Sequence, residues 1–423
     1  MVYLLIPMVI LILIGMPIAF SMGFGSFIYI TVTDTSSLSI IVQKMIDGVN
    51  SFSLLAVPIF ILMGELMVRG GAMKRLMSLP NVLLGRFIGG LGYANLGTGV
   101  ILGGISGSGV ADVAALSTIF GPEMEKKGFS KGFTASLQSC SGVLAIVIPP
   151  SIVLILIGVS GEVSIGDLFL AGIIPGGITA LFLAIYVYFY AKKNNIRDTR
   201  KIKKGEFKNA IIKSLLPLGL PVVIIGGILT GVFTATESAA VATIYAFVLC
   251  RYIYRELSWA GIKAALSNTV LNTGAIMVLI AVSTSFAWIL TKARATQKLL
   301  DLFLNITDSS IGILLLMMLL LLVLGIILEA TPIVLITTPI LMPIAVEIGM
   351  DPIHFGVLMA MNLAIGSNTP PMALSLLTAS RILKINVEKT FPHILYFIGF
   401  MMLAIVAVIV FPSLALFLPD FNK

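Results

Sequence analysis

Charge is what this sequence has least of. Asp, Glu, Lys and Arg make up 11% of the 423 residues, where a water-soluble domain carries roughly 25%. With 58% hydrophobic residues and a mean hydropathy of +1.10, the chain has too little polar surface to face water and must be solvated by lipid. Cysteine is nearly absent as well. Cys140 and Cys250 stand far apart in apolar stretches, which argues against a disulfide or a thiolate metal site and leaves two small buried hydrophobes. The only histidines, His354 and His393, read as structural groups. There is no HExxH, no cysteine cluster and no Ser/His/Asp set, so no enzyme is expected. The net charge of +8 falls on loops beside apolar runs, where membrane orientation accounts for it better than a nucleic-acid partner does. A cleavable signal is also missing, because no basic segment precedes the first apolar run and no small-x-small site closes it.

Lipid restricts the fold. Every backbone N–H and C=O in hydrocarbon needs a partner within its own segment, which leaves helices or closed barrels. The apolar runs at 4–30, 168–190 and 394–418 lack the period-two alternation of barrel strands and are long enough to cross as helices. An all-α polytopic membrane protein follows, with the first run read as one permanent span. Three polar-striped stretches, 37–49, 73–84 and 257–267, fit helices lying flat at the interface. The most polar stretch, 192–208, holds eight Lys/Arg against Asp198 and Glu206, and the positive-inside tendency makes it cytoplasmic. It also divides the chain into near-equal halves, 1–205 and 206–423.

The halves resemble each other. Pro122, Gly128 and Pro149-Pro150 recur as Pro343, Gly349 and Pro370-Pro371 at a constant offset of 221, which also places Ser117 on Thr338. Outside this block the register drifts: Gly15 and Tyr29 match Gly231 and Tyr245 at 216, while Lys74 and Asn81 match Lys298 and Asn305 at 224. A repeat with paired helix breaks is the sequence sign of a secondary transporter with inverted repeats. Parity of spans per half decides whether the copies are inverted; inversion is the expectation. Each half then holds scaffold helices, a helical hairpin (88–125 and 311–347) and a broken helix (134–158 and 353–383).

At 103–112 (GGISGSGVAD) two apolar half-segments meet at a Gly/Ser-rich tip. Its backbone groups cannot face lipid unpaired, so the tip is buried in protein or lines a watery cavity. Glycine lets the chain reverse, Ser106 and Ser108 add hydroxyls, and Asp112 adds a carboxylate, read either as a helix cap or as part of a cation site. The pair Pro149-Pro150 removes two donors. The result is either a mere kink or a true break, where freed carbonyls hold Na⁺ and the half-helix beginning at Ser151 aims N–H groups at an anion. The second copy, 366–372 (GSNTPPM), places Ser367, Asn368 and Thr369 before its break, neutral oxygen donors suited to a weakly held monovalent ion. Ahead of it Glu329, followed by Ala330-Thr331-Pro332, marks a second tip, with Glu329 in the place of Ser108. This acid reads as a ligand or as a structural hydrogen-bond acceptor. Glu237, in the polar turn 231–238, reads as packing or subunit contact, and Glu65, Asp167 and Glu347 as membrane-edge residues.

With those residues in view, the chain resembles the large membrane subunit (DctM type) of the tripartite ATP-independent periplasmic (TRAP) transporters. The resemblance covers nearly the whole chain and is carried by 103–133, 148–176, 231–247 and 328–380. Two departures are visible, Gly109 where the family often has Ser and Ala373 where it often has Gly. The resemblance implies an elevator-type transporter with two helical hairpins, discontinuous helices, a scaffold and a transport domain, in the bacterial inner membrane. It implies Na⁺-coupled import of a carboxylate-bearing substrate such as sialic acid or a C4-dicarboxylate. The implied partners are a small four-helix membrane subunit, expected as a separate polypeptide, and a periplasmic binding protein. Substrate contacts are expected from Ser106, Ser108, Pro149, Pro150 and Ser151. Sodium ligands are expected from Ser106, Gly107, Ser108, Asp112, Ile148, Glu329, Thr331, Gly366, Ser367, Asn368 and Thr369.

Overall fold

The computed structural model describes residues 2–196, 205–371 and 373–421. Positions 197–204, the centre of the basic loop expected on the cytoplasmic side, and Met372 of the second break lie outside the described residues. No β-strand occurs among the described residues, and seven helices are long and apolar enough to cross a bilayer.

The first apolar run is not one span. It forms two helices packed on each other, α1 (Val2–Leu13) and α2 (Ile18–Thr33). Gly15 turns the chain at φ +94° and Pro17 stands at the start of α2, a turn signal that averaged hydropathy hides. The fold-back is close, since a side chain at Gly25 would meet the Leu4 carbonyl oxygen at 2.8 Å. Next come α3 (Ser39–Val49), α4 (Ala56–Arg69) and α5 (Ala72–Leu84). Rather than lying free at an interface, α5 buries Met73, Leu76, Met77 and Val82.

The first hairpin is α6 (Gly90–Ser106) and α7 (Gly109–Lys126), and the first broken helix is α8 (Lys131–Gly142) followed by α9 (Ile152–Ser160). A long α10 (Ile165–Lys193) closes this half. In the second half come α11 (Glu206–Leu229), α12 (Ala235–Val248) and α13 (Trp259–Lys292). The stretch 257–267 is therefore no separate surface helix but the start of α13. Its 34 residues span about 51 Å at 1.5 Å per residue, well beyond a hydrocarbon core of about 30 Å. The helix must tilt or project from the bilayer, and its first turns are polar for that reason. Helix α3 lies along it. Then follow α14 (Ala295–Leu304), the second hairpin α15 (Ser310–Ile327) and α16 (Ala330–Glu347), and the second broken helix, α17 (Pro352–Gly366) and α18 (Leu374–Ile382). The last apolar run also divides, into α19 (Phe391–Val410) and α20 (Ser413–Phe421), because Pro412 cannot continue the helix.

Glycine lets the hairpins seat on the broken helices. A side chain at Gly103 of α6 would lie 2.9 Å from the Ala145 backbone, and one at Gly366 would lie 2.7 Å from the Gly325 Cα of α15. Such approaches suit lipid, where helices associate through close backbone packing rather than the hydrophobic effect. The two units also keep one register: adding 221 to the bounds of α7, 109 and 126, gives 330 and 347, the bounds of α16.

Three polar groups away from the tips and breaks have structural roles. His354 Nε2 faces the Val408 carbonyl at 2.9 Å, and His393 Nδ1 faces the Tyr186 hydroxyl at 3.1 Å. Glu237 closes a capping box on α12: its backbone N–H donates to Thr234 Oγ1, and its carboxylate accepts from the Thr234 N–H at 2.8 Å. It is a helix cap, and the Thr-x-x-Glu spacing at 234–237 was its signal.

Candidate functional site

The two hairpin tips face one cavity of about 670 Å³. Each tip is built by a chain reversal that ends one helix and starts another. In the first, Gly107 adopts the left-handed conformation at φ +60° and terminates α6, and Ser108 then takes the cap position of α7 in extended geometry. The Ser108 N–H donates to Ser106 Oγ at 3.2 Å, which folds the tip on itself. In the second, Leu328 and Glu329 are both extended between α15 and α16. Glu329 stands at the cap position without a side-chain cap bond, exposed to the cavity.

Of the residues singled out in the sequence, Ser106, Gly107, Ser108, Glu329, Thr331 and Ser367 line this cavity together. Three donors near the second break have their protons committed. The Ser367 hydroxyl donates to the Leu363 carbonyl at 2.8 Å and Thr369 to Ile365 at 2.9 Å, which leaves their oxygen lone pairs as acceptors. Asn368 is fully buried; its amide nitrogen donates to Ala364 and its oxygen accepts from Ser139.

The first break forms a layer behind the tip. Ile148, Pro149, Pro150 and Ser151 are absent from the cavity wall, as are Asp112, Gly366, Asn368 and Thr369. A Cβ at Gly107 would sit 3.4 Å from the Pro150 carbonyl oxygen and 3.5 Å from the Ile152 nitrogen, so the tip rests on the break. Ser151 caps α9: its hydroxyl donates to the Ile146 carbonyl at 2.7 Å and accepts from the Leu154 N–H. Asp112 lies in the first turn of α7 rather than at its cap. It is buried and leaves Oδ2 without a protein partner among the described residues.

Helices α4 and α13 complete the wall, through Gly64, Glu65 and Val68 on one and Asn272, Ala275 and Ile276 on the other. Glu65 is thus a cavity residue. It pairs with Arg69 at 2.9 Å and accepts from Asn268 at 3.3 Å. Sequence reasoning set it aside, although an acid inside the apolar run 52–68 was a signal. Asn272 carried none. Among the described residues no three His, Cys, Asp or Glu side chains gather to hold a metal ion. The side-chain oxygens of the wall are the hydroxyls of Ser106, Ser108, Thr331, Ser367 and Ser375, the carboxylates of Glu65 and Glu329 and the Asn272 amide, hard donors rather than the thiolates and imidazoles that hold transition metals.

The sequence profile of the family described as "Tripartite ATP-independent periplasmic transporter, DctM component" matches residues 5–414. The sialic acid TRAP transporter large permease protein SiaM of Vibrio cholerae is 35% identical over 96% of this chain and 95% of its own. The 2,3-diketo-L-gulonate TRAP transporter large permease protein YiaN of Escherichia coli is 36% identical over 90% of this chain and 91% of its own. In architecture the chain is similar to the YdaH transporter of Alcanivorax borkumensis, with a TM-score of 0.60 at 14% identity, covering 88% of each chain. This profile match and these permeases, taken with the paired hairpins and breaks, mean that the chain belongs to the DctM family of TRAP transporters and is a multi-pass membrane permease subunit, not an enzyme.

Proposed function

We infer that this permease imports a carboxylate-bearing organic acid in symport with Na⁺, by an elevator-type displacement of its hairpins and broken helices. The observation that carries this reading is the 670 Å³ cavity shared by both hairpin tips. An anion in it meets the Ser106 and Ser108 hydroxyls and the N-terminal N–H groups of α7, which favour negative charge. Cations fit the layer behind, at Asp112 and Ile148 beneath the first tip and at Gly366 and Thr369 by the second break, with Gly107 and Ser367 at the cavity edge. Loading both neutralises the site, and a neutral site crosses an apolar barrier at far lower cost than a charged one. That coupling links the two fluxes.

In this reading 1–205 and 206–423 are inverted copies, α4 and α13 belong to the fixed wall, and the 192–208 loop faces the cytoplasm. The substrate class is that of sialic acid, a C4-dicarboxylate or a related acid, as relatives named for sialic acid and 2,3-diketo-L-gulonate suggest. A small membrane subunit and a periplasmic binding protein complete the system. The test is uptake into vesicles reconstituted with both membrane subunits. Accumulation should require an inward Na⁺ gradient and loaded binding protein, and Ser106→Ala should cut it about tenfold, the loss of one charge-assisted hydrogen bond, while the complex still assembles. Accumulation without Na⁺, or normal uptake by Ser106→Ala, overturns the site assignment.

A further inference from the structure

At the end of the molecule that carries the basic stretch 192–208, a second cavity of about 350 Å³ opens between α5, α6 and the last turns of α10. Leu84, Phe87, Ile88, Tyr93 and Tyr188 line it. The turn 85–89, which joins α5 to the first hairpin, is seated on α10. Gly89 adopts φ +74°, and its N–H donates to the Ile196 carbonyl at 3.1 Å. A Cβ at Gly89 would meet the Ala191 Cβ at 2.7 Å, so only glycine lets the turn close this far. Phe87 of the turn and Tyr188 of α10 thereby become two walls of one pocket.

Each of those rings carries a cation. The Arg86 guanidinium carbon lies 5.2 Å from the Phe87 ring centre, and Lys192 Nζ lies 5.6 Å from that of Tyr188, both within cation–π range. Both residues are exposed, and neither has a carboxylate within ion-pair distance among the described residues. The sequence gives the reason. No Asp or Glu occurs between Glu65 and Asp112, or between Asp167 and Asp198, so α5, α6 and the last turns of α10 offer no acid to neutralise them.

Membrane orientation accounts for cations at this end of the chain. It does not account for a concave apolar wall beneath them, because a helix that merely faces lipid needs no cavity. A ligand matched to both parts is apolar where it meets Leu84 and Ile88 and anionic where it meets Arg86 and Lys192. A phospholipid of net negative charge joins the two in one molecule. Free phosphate would leave the cavity unused, and a zwitterionic lipid brings an ammonium group that both cations repel. The volume is near the lower limit of small-molecule pockets, about 300 Å³, room for part of one acyl chain.

We propose that this pocket binds one anionic phospholipid, its phosphate between Arg86 and Lys192 and the upper part of an acyl chain in the cavity. Phe87, Tyr93 and Tyr188 then stand at headgroup depth, where membrane proteins concentrate aromatic side chains. Placing the lipid in the cytoplasmic leaflet rests on the orientation proposed above; the binding does not.

The test is native mass spectrometry of the assembled permease complex, delipidated in detergent and titrated with phosphatidylglycerol. Arg86→Gln and Lys192→Gln should each weaken the tightest-bound lipid about fivefold, and together about thirtyfold, the usual worth of a cation beside an anionic lipid. Because both residues are exposed, the variants should fold, and the same spectra report assembly. Lys263→Gln, which removes an exposed cation of α13, should change nothing. A phosphatidylglycerol with a diazirine high in one chain should crosslink to residues 84–93 or to Tyr188 in the native complex and lose that crosslink in the double variant. Equal affinity in the double variant and the Lys263→Gln control overturns the proposal, as do crosslinks that avoid those residues. Displacement of the lipid by equimolar glycerol phosphate overturns it too, since that would mark an anion site indifferent to the cavity. Binding in detergent is blind to orientation, so a reversed topology would move the leaflet and leave these results unchanged.

Discussion

The Ser139 hydroxyl donates to the carboxamide oxygen of Asn368, so that α8, the first arm of one broken helix, is pinned to the break in the other. Both residues are fully buried, and Asn368 also donates to the Ala364 carbonyl at 3.1 Å. The bond ties the last turn of α8 to the break that follows α17.

Removing one partner strands the other. Asn368→Ala should lower unfolding stability by about 1–3 kcal/mol, the cost of an unsatisfied buried group, and Ser139→Ala by about 0.5–1.5 kcal/mol. The double change Ser139→Ala/Asn368→Ala should cost less than the sum, because neither partner is then left orphaned. Thermal unfolding of the purified complex in detergent measures all three. Strict additivity would mean that the bond does not form in the membrane-extracted protein.

The contact between Gly325 and Gly366 sets a second expectation. An added methyl at 366 would lie 2.7 Å from the Gly325 Cα, against backbone that cannot swing aside. Gly366→Ala should destabilise by about 1–3 kcal/mol, as overpacking does, and reduce uptake. Gly226→Ala in α11, where nothing lies within 4 Å, should be neutral or slightly stabilising. Parallel melting curves of the two variants check the contrast.

How much of this was legible in advance follows from where each signal resides. Helix ends at the tips and breaks are written locally, in Gly107 and in the proline pairs, since those residues forbid a continuous helix whatever surrounds them. The α1–α2 turn was equally local, in Gly15 and Pro17, but averaging over 27 apolar residues concealed it. Continuity of α13 was hidden for the opposite reason. Its first turns are polar, and composition reads polarity as an end even when the helix continues. Glu65 needed tertiary information, because only the packing of α4 and α13 beside the tips turns an acid near Arg69 into part of a cavity wall. The role of Ser139 also lay beyond pattern reading, because its partner Asn368 is 229 residues away.

Ala373 supplies a third prediction. It is buried, opens α18 and adopts φ +33° and ψ 57°, a left-handed conformation that brings a Cβ too near the following carbonyl. Glycine removes that repulsion but adds freedom to the unfolded chain, so Ala373→Gly should stabilise by a net of about 0.5–1 kcal/mol. A raised melting temperature with unchanged assembly is the expected result. A lowered one would show that the methyl contributes more through packing than it costs through strain.

The Glu65–Arg69 pair offers the sharpest separation of stability from function. Its side chains keep 22% and 32% of their exposure, so screening limits the pair to about 1 kcal/mol or less of stability, and single substitutions should barely move the melting temperature. Transport should respond with opposite signs. Arg69→Gln leaves the Glu65 carboxylate uncompensated in the wall of the cavity proposed for the anion, and the KM for uptake should rise about tenfold, equivalent to roughly 1.4 kcal/mol. Glu65→Gln keeps an acceptor for Asn268 but releases the guanidinium, and KM should fall while the slower release of a more tightly held anion lowers kcat. The check is uptake rate against concentration of loaded binding protein in vesicles of equal permease content. Shifts of the same sign in both variants would mean that the pair acts only by holding α4 in shape, and that its charges do not reach the substrate.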